Sequence, residues 1–134
     1  MKFIIDQLVL ALFNYLNSEI DAYRIFQNKT IAHGVNFAMY AGLTAALVYL
    51  THSNFWVSFV FCASAFFNRQ LSFDIPLNLA RKLPWYYQST ANPPKALMDK
   101  IERIVFPSNN GKLITGVYAG FWVLTIIVYY VWLQ

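Results

Sequence analysis

The sequence predicts an all-α integral membrane protein with three transmembrane helices, an N-terminal amphipathic interfacial helix and a helical cytoplasmic cap. Three observations predict it. The 134 residues are 58% hydrophobic and 19% aromatic but only 12% charged, against roughly 25% charged in an average soluble domain. A water-soluble chain of this size cannot hide so many Phe, Tyr and Trp side chains. Two stretches, 31–50 and 113–133, contain no Asp, Glu, Lys or Arg, and each has the ~20 residues that cross a ~30 Å hydrocarbon core as a helix. The third observation is the one-sided placement of the basic residues.

Residues 1–30 form the first element. Asp6, Asn14, Asn17 and Asp21 interrupt an otherwise apolar run, and Gln7, Asn14, Asn17, Ser18, Asp21, Arg24 and Asn28 fall close to one stripe at helical spacing. A crossing here would strand Arg24 and Lys29 on the wrong side. The expectation is an amphipathic helix along the cytoplasmic face, its stripe toward the head groups. No cleaved leader is expected, because Asp6 breaks the apolar region, Lys2 is the whole positive region, and no small-x-small site follows Leu12.

Residues 31–50 are the first span. His33, Asn36, Tyr40 and Thr44 line up on one of its faces. Polar groups at membrane depth turn toward protein or water, so this face serves either interhelical hydrogen bonds or a polar path near the inner leaflet. Residues 54–71 are the second span. Its apolar run, 55–67, covers only ~20 Å as a helix, and reaches across once Arg69 snorkels to the head groups. Residues 113–133 are the third.

With these spans, all ten Lys and Arg fall on one side, and the opposite side holds only the turn 51–54 and Gln134. The positive-inside rule then places the protein in the cytoplasmic (inner) membrane, with the N-terminus cytoplasmic and the C-terminus external. Phe55, Trp56, Tyr129, Tyr130 and Trp132 gather at the external edge, and Trp85, Tyr86 and Tyr87 at the cytoplasmic one.

Residues 72–112 are the basic cytoplasmic cap. From 68 to 112 there are seven Lys or Arg against Asp74, Asp99 and Glu102. Asp74 before Ile75-Pro76 reads as an N-cap, with Pro in the first turn of a helix over 75–83 that stops before Pro84. Arg69, Asp74, Arg81, Lys82 and Trp85 are the candidate lipid head-group or ligand contacts, each cation contributing about 1 kcal/mol near an anionic surface. Asn92-Pro93 opens a second helix with an apolar stripe of Leu97, Ile101, Ile104 and Val105. Lys95 with Asp99, and Asp99 with Arg103, are spaced i,i+4 on its outer face.

Each span carries small residues: Ala38, Gly42 and Ala46; Ser58, Cys62 and Ala65; Gly116 and Gly120. Such rows let helices approach closely. Here they pack the spans within one chain or join copies in an oligomer, with Gly42, Cys62, Gly116 and Gly120 as the packing positions.

Sequence signals for chemistry are sparse. His33 and His52 lie 19 residues apart, roughly 28 Å along a helix, so no metal site is expected. No nucleophile elbow, phosphate loop or dinucleotide fingerprint occurs, and no cofactor is expected. Glu19 and Asp21 lie on different helix faces, and no catalytic residue can be named. Membrane head groups account for the basic, aromatic cap without nucleic acid. The expected function is therefore non-enzymatic: a small subunit or scaffold of a membrane complex, with anionic lipids and either further copies or other subunits as partners. Alternatives are an oligomeric, holin-like pore and an enzyme or carrier for a lipid-like substrate at the inner leaflet.

Overall fold

The structure is a computed structural model, and it describes residues 2–29, 33–52, 54–88 and 97–133. Its regular elements are all helical: α1 (Lys2–Phe26), α2 (His33–Thr51), α3 (Phe55–Arg69), a π-helical turn (Gln70–Asp74), α4 (Ile75–Ala80), α5 (Leu97–Val105) and α6 (Gly111–Trp132). No strand occurs among the described residues.

Side-chain pairs set the topology. Asp6 meets Thr51 and Asp21 meets Asn36, so α1 and α2 are antiparallel. Phe3 packs on Phe61, Gln7 bonds Asn68 and Asn14 bonds Ser72, so α3 and its extension run parallel to α1. Tyr129 stacks on Phe3 and Phe121 on Phe67, so α6 returns antiparallel to both. The resulting bundle has two ends. The His52 end gathers the start of α1, the turn after α2 and the end of α6. The α5 end gathers the end of α1, α4, α5 and the start of α6.

Local chemistry sets the helix limits. Asn54 Oδ1 accepts the Trp56 N–H at 2.9 Å and caps α3, and Asn110 Oδ1 accepts the Leu113 N–H at 3.3 Å and caps α6. Helices α1 and α4 each end in a left-handed residue, Asn28 (φ 55°) and Lys82 (φ 58°). Both ends carry the paired bonds of a Schellman motif, Lys29 N–H to Arg24 O with Asn28 N–H to Ile25 O, and Leu83 N–H to Asn78 O with Lys82 N–H to Leu79 O. The predicted opening of the second cap helix at Asn92-Pro93, and the Lys95 partner of Asp99, lie outside the described residues.

Three expectations are corrected. Asp74 is not a cap: its backbone is right-handed helical and its side chain makes no capping bond. The chain passes from α3 into α4 without a break, through the π turn. Pro76 explains the turn, because it has no N–H to offer Ser72 and its ring would press on that carbonyl in a regular α-helix; a wider turn just before it relieves both.

Second, the polar stripe of α1 points inward. Asp6, Gln7, Asn14, Ser18 and Asp21 are buried, while Ile4, Ile5, Leu8, Val9, Leu12, Leu16 and Ile20 face outward. The reason is complementarity, since α3 with its extension presents Ser64, Asn68 and Ser72, and α2 presents Asn36 and Thr51.

Third, the small-residue rows do not pack this chain together. Gly42, Gly116 and Gly120 have nothing within 4 Å of where a Cβ would stand, and Ala38, Ala46 and Cys62 are exposed. Of the named residues only Ala65 is in the core. Rings occupy the α3–α6 contact instead: Phe66 and Phe67 lie against Tyr118, and Phe67 stacks on Phe121 at 5.3 Å.

Among the described residues, two helices are long and apolar enough to cross a membrane, Gly34–Thr51 within α2 and Gly111–Trp132. Only 11% and 17% of these windows are buried, whereas the core helix of a soluble protein would be mostly covered.

Candidate functional site

The inward face of α1 nucleates a seam of polar contacts through the bundle. At the His52 end, Asp6 Oδ2 accepts the Thr51 hydroxyl at 2.8 Å and lies 3.2 Å from His52 Nε2. Both Asp6 and His52 are buried, and the His52 ring lies against Phe3 and Phe61. Loss of hydration holds the His52 pKa below its usual value, against the opposing pull of Asp6. Mid-bundle, Asn68 Nδ2 donates to both the backbone and side-chain oxygens of Gln7, at 2.8 and 2.7 Å. Asn14 donates to Ser72, and Ser72 in turn to the Asn68 carbonyl. Toward the α5 end, Asn36 donates to Asp21 Oδ2 at 2.8 Å.

A second cluster lies at the α5 end, where the π turn displaces side chains from their α-helical positions. Arg69 sits 4.5 Å above the Phe73 ring and within electrostatic reach of Asp74. Burial pushes the Asp74 carboxyl up to about 7; Arg69 pulls it down, and Glu102 and Asp99 push it further up. Glu102 is also raised, first by burial, although it accepts the Tyr118 hydroxyl at 2.7 Å. Next to it, Phe66, Phe67, Ile101, Val105 and Phe121 line an open groove of about 220 Å³. A half-buried carboxyl poised near neutrality beside an Arg can hold and release a proton. No group of three or more His, Cys, Asp or Glu able to hold a metal occurs among the described residues.

The other sequence-named residues scatter. Asn36, Tyr40 and Thr44 do share a face, and it looks into the bundle: Tyr40 donates to the Ala65 carbonyl at 2.7 Å and Thr44 to the Tyr40 carbonyl at 2.9 Å. The side chain of His33 lies outside the described residues. Arg81 and Lys82 are exposed at the end of α4. Trp85 is exposed and packs edge-on against Tyr86; its carbonyl, with that of Tyr87, accepts the Asn78 side chain.

Sequence reasoning did not find Asp6, Gln7, His52, Asn68 or Glu102 as site residues. The α1 stripe was the available signal, but a stripe does not say whether water or another helix meets it. The chain matches no protein-family model, and no curated protein or solved structure is detectably similar to it.

Proposed function

We propose that this chain is an integral protein of the cytoplasmic membrane, a non-enzymatic subunit or scaffold of a membrane complex. One observation carries the proposal: α1 turns a polar face into the bundle and an apolar face outward. Buried Asp6, Gln7, Asn14, Ser18 and Asp21 share a helix with outward Ile5, Leu8, Leu12, Leu16 and Ile20. In water this distribution would expose apolar surface on every side; in lipid it satisfies both faces. On this reading α1 is a membrane element rather than a surface helix. Its average hydropathy is diluted by a stripe that lipid never meets.

The charges support an orientation. Lys2 is the only described Lys or Arg at the His52 end, so the α5 end is cytoplasmic under the positive-inside rule. With α1, α2, α3 and α6 all crossing, the start of α1 and the end of α6 share the external side; this reading replaces the three spans and cytoplasmic N-terminus expected from the sequence. Arg81, Lys82 and Lys112 then meet anionic head groups.

Native mass spectrometry of the protein in nanodiscs formed directly from its membrane tests the subunit reading. A foreign chain at fixed stoichiometry is the expected result. A ring of identical chains overturns it in favour of a pore, and a solitary chain removes the complex.

One observation favours the reading of an enzyme or carrier for a lipid-like substrate at the inner leaflet, the Asp74 carboxyl held near pH 7 beside Arg69. Asp74→Asn keeps shape and removes titration; loss of a cellular phenotype with intact folding would support that reading over the scaffold.

A further inference from the structure

Helix α5 is held to the bundle through a carboxyl rather than through its apolar side chains. Over residues 99–105 its only buried side chain is Glu102, while Ile101, Ile104 and Val105 are exposed. The buried bond from the Tyr118 hydroxyl to Glu102 Oε1, at 2.7 Å, ties the helix to α6. Beside that bond the packing is incomplete. The groove of about 220 Å³ lies between Ile101 and Val105 of α5 and the rings of Phe66, Phe67 and Phe121, whereas a packed core leaves few voids larger than a water molecule. The helix leads into α6 through the turn 106–110, where Asn109 is left-handed at φ 46°. Short turns at the ends of elements are where hinge motion is absorbed.

We propose that α5 is a proton-controlled flap: Tyr118 and Glu102 hold it over the groove while Asp74 carries a proton, and when Asp74 ionises it swings about the turn 106–110 and uncovers the Phe66, Phe67 and Phe121 rings. A buried carboxylate is tolerated only while its charge is matched. Here Asp99 acts on Glu102 from the same helix, Glu102 and Asp99 both act on Asp74 at the end of the π turn, and Arg69 opposes them at Asp74. Burial raises the Asp74 carboxyl to about 7, Arg69 lowers it, and Glu102 and Asp99 raise it. Burial likewise raises Glu102, which Tyr118 lowers and Asp99 raises. The closed flap thus holds a proton that the open one releases. Closure is favoured at low pH and weakens as pH rises from about 4 through 7. Tyr118 can donate to Glu102 in either protonation state, so Asp74 sets the switch and Glu102 supplies the tether. The flap operates in detergent as in lipid, and stands apart from the membrane reading above.

Hydrogen exchange read by mass spectrometry tests this on the full chain in mild detergent, at about pH 5.5 and about pH 8.5, on either side of the Asp74 value. After correction for the intrinsic pH dependence of exchange, the α5 amides should exchange at least about tenfold faster at the higher pH, the equivalent of one pKa unit, with a smaller change in α1. Asp74→Asn keeps the shape of the side chain and removes its charge, and should leave α5 protected at both values. Tyr118→Phe removes the tether, and should open α5 at both values with α1 still protected. Equal protection of α5 at the two values overturns the flap. A pH dependence that survives Asp74→Asn overturns the assignment to that carboxyl. A Tyr118→Phe protein whose α5 stays as protected as the unaltered chain at the lower pH overturns the tether. Acceleration by the same factor in α1 and α5 shows the whole bundle opening, and overturns a local motion.

Discussion

The two ends of the bundle each bury titratable groups, and they stabilise them in opposite ways. At the His52 end, Phe3 stacks on Tyr129 at 4.1 Å and meets Phe61 edge-on at 5.5 Å, and both Phe3 and Phe61 lie against the His52 ring. At the α5 end, polar contacts hold the elements together: Glu102 with Tyr118, Arg69 over Phe73, and Asn78 clasping the loop after α4. Exposed Ile104 and Val105 on α5 add no buried packing within the chain. Rings that interlock are costly to delete. A network of carboxyls responds to pH instead.

The largest expected effect separates the ends by packing. Phe3 is fully buried, and Phe3→Ala should cost about 3–5 kcal/mol of stability, whereas Ile104→Ala should stay within about 0.5 kcal/mol. Thermal unfolding in mild detergent measures both, and equal losses would erase the contrast. Next comes Gly111, where an added Cβ would collide with the Tyr86 carbonyl and crowd Gln88. Gly111→Ala should cost about 2 kcal/mol and lift the 84–88 loop, which the emission of Trp85 would report.

The third test is pH, and the two ends carry opposite signs. Asp74 titrates near 7 when folded and near 3.8 otherwise. The folded state therefore holds the extra proton between those values, and stability falls as pH rises from about 4 through 7. His52 is depressed, so the unfolded state binds the proton first and stability falls as pH drops below about 6.5. Asp74→Asn should remove the fall in melting temperature as pH rises from about 4 to 7, and His52→Gln should remove the opposing fall as pH drops below about 6.5. A single variant that flattens both would show that the ends are coupled. The smallest effect is at Lys82, held left-handed at φ 58°. Lys82→Gly should raise stability by about 1 kcal/mol by removing the Cβ strain of that conformation.

Much of this was legible beforehand. The helices at 33–51, 55–69 and 111–132 follow from apolar runs bounded by Asn54 and by Asn110-Gly111, because capping and hydrophobic length are local properties. The continuity through Asp74 was not legible. Asp-Ile-Pro is a sound local signal for a helix start, and only the packing of α1 along the π turn and α4 carries the helix through. For the site, Arg69 and Asp74 drew notice as charges in an apolar stretch, but their partner Glu102 comes from a helix more than twenty residues further on.

What the sequence by itself determined is that most of the chain is helical, that two helices among the described residues are long and apolar enough to cross a membrane, and that its positive charge concentrates away from the 51–54 turn. Each of these is a sum over neighbouring residues. What the tertiary structure alone decided is direction: the stripe of α1 turns inward because Asn68, Ser72, Asn36 and Thr51 wait there, and the glycine rows turn outward because rings took the helix contacts. A hydrogen-bond partner 61 positions away, as Asn68 is from Gln7, leaves no periodic trace in either segment, since periodicity records that a face differs and not what it meets.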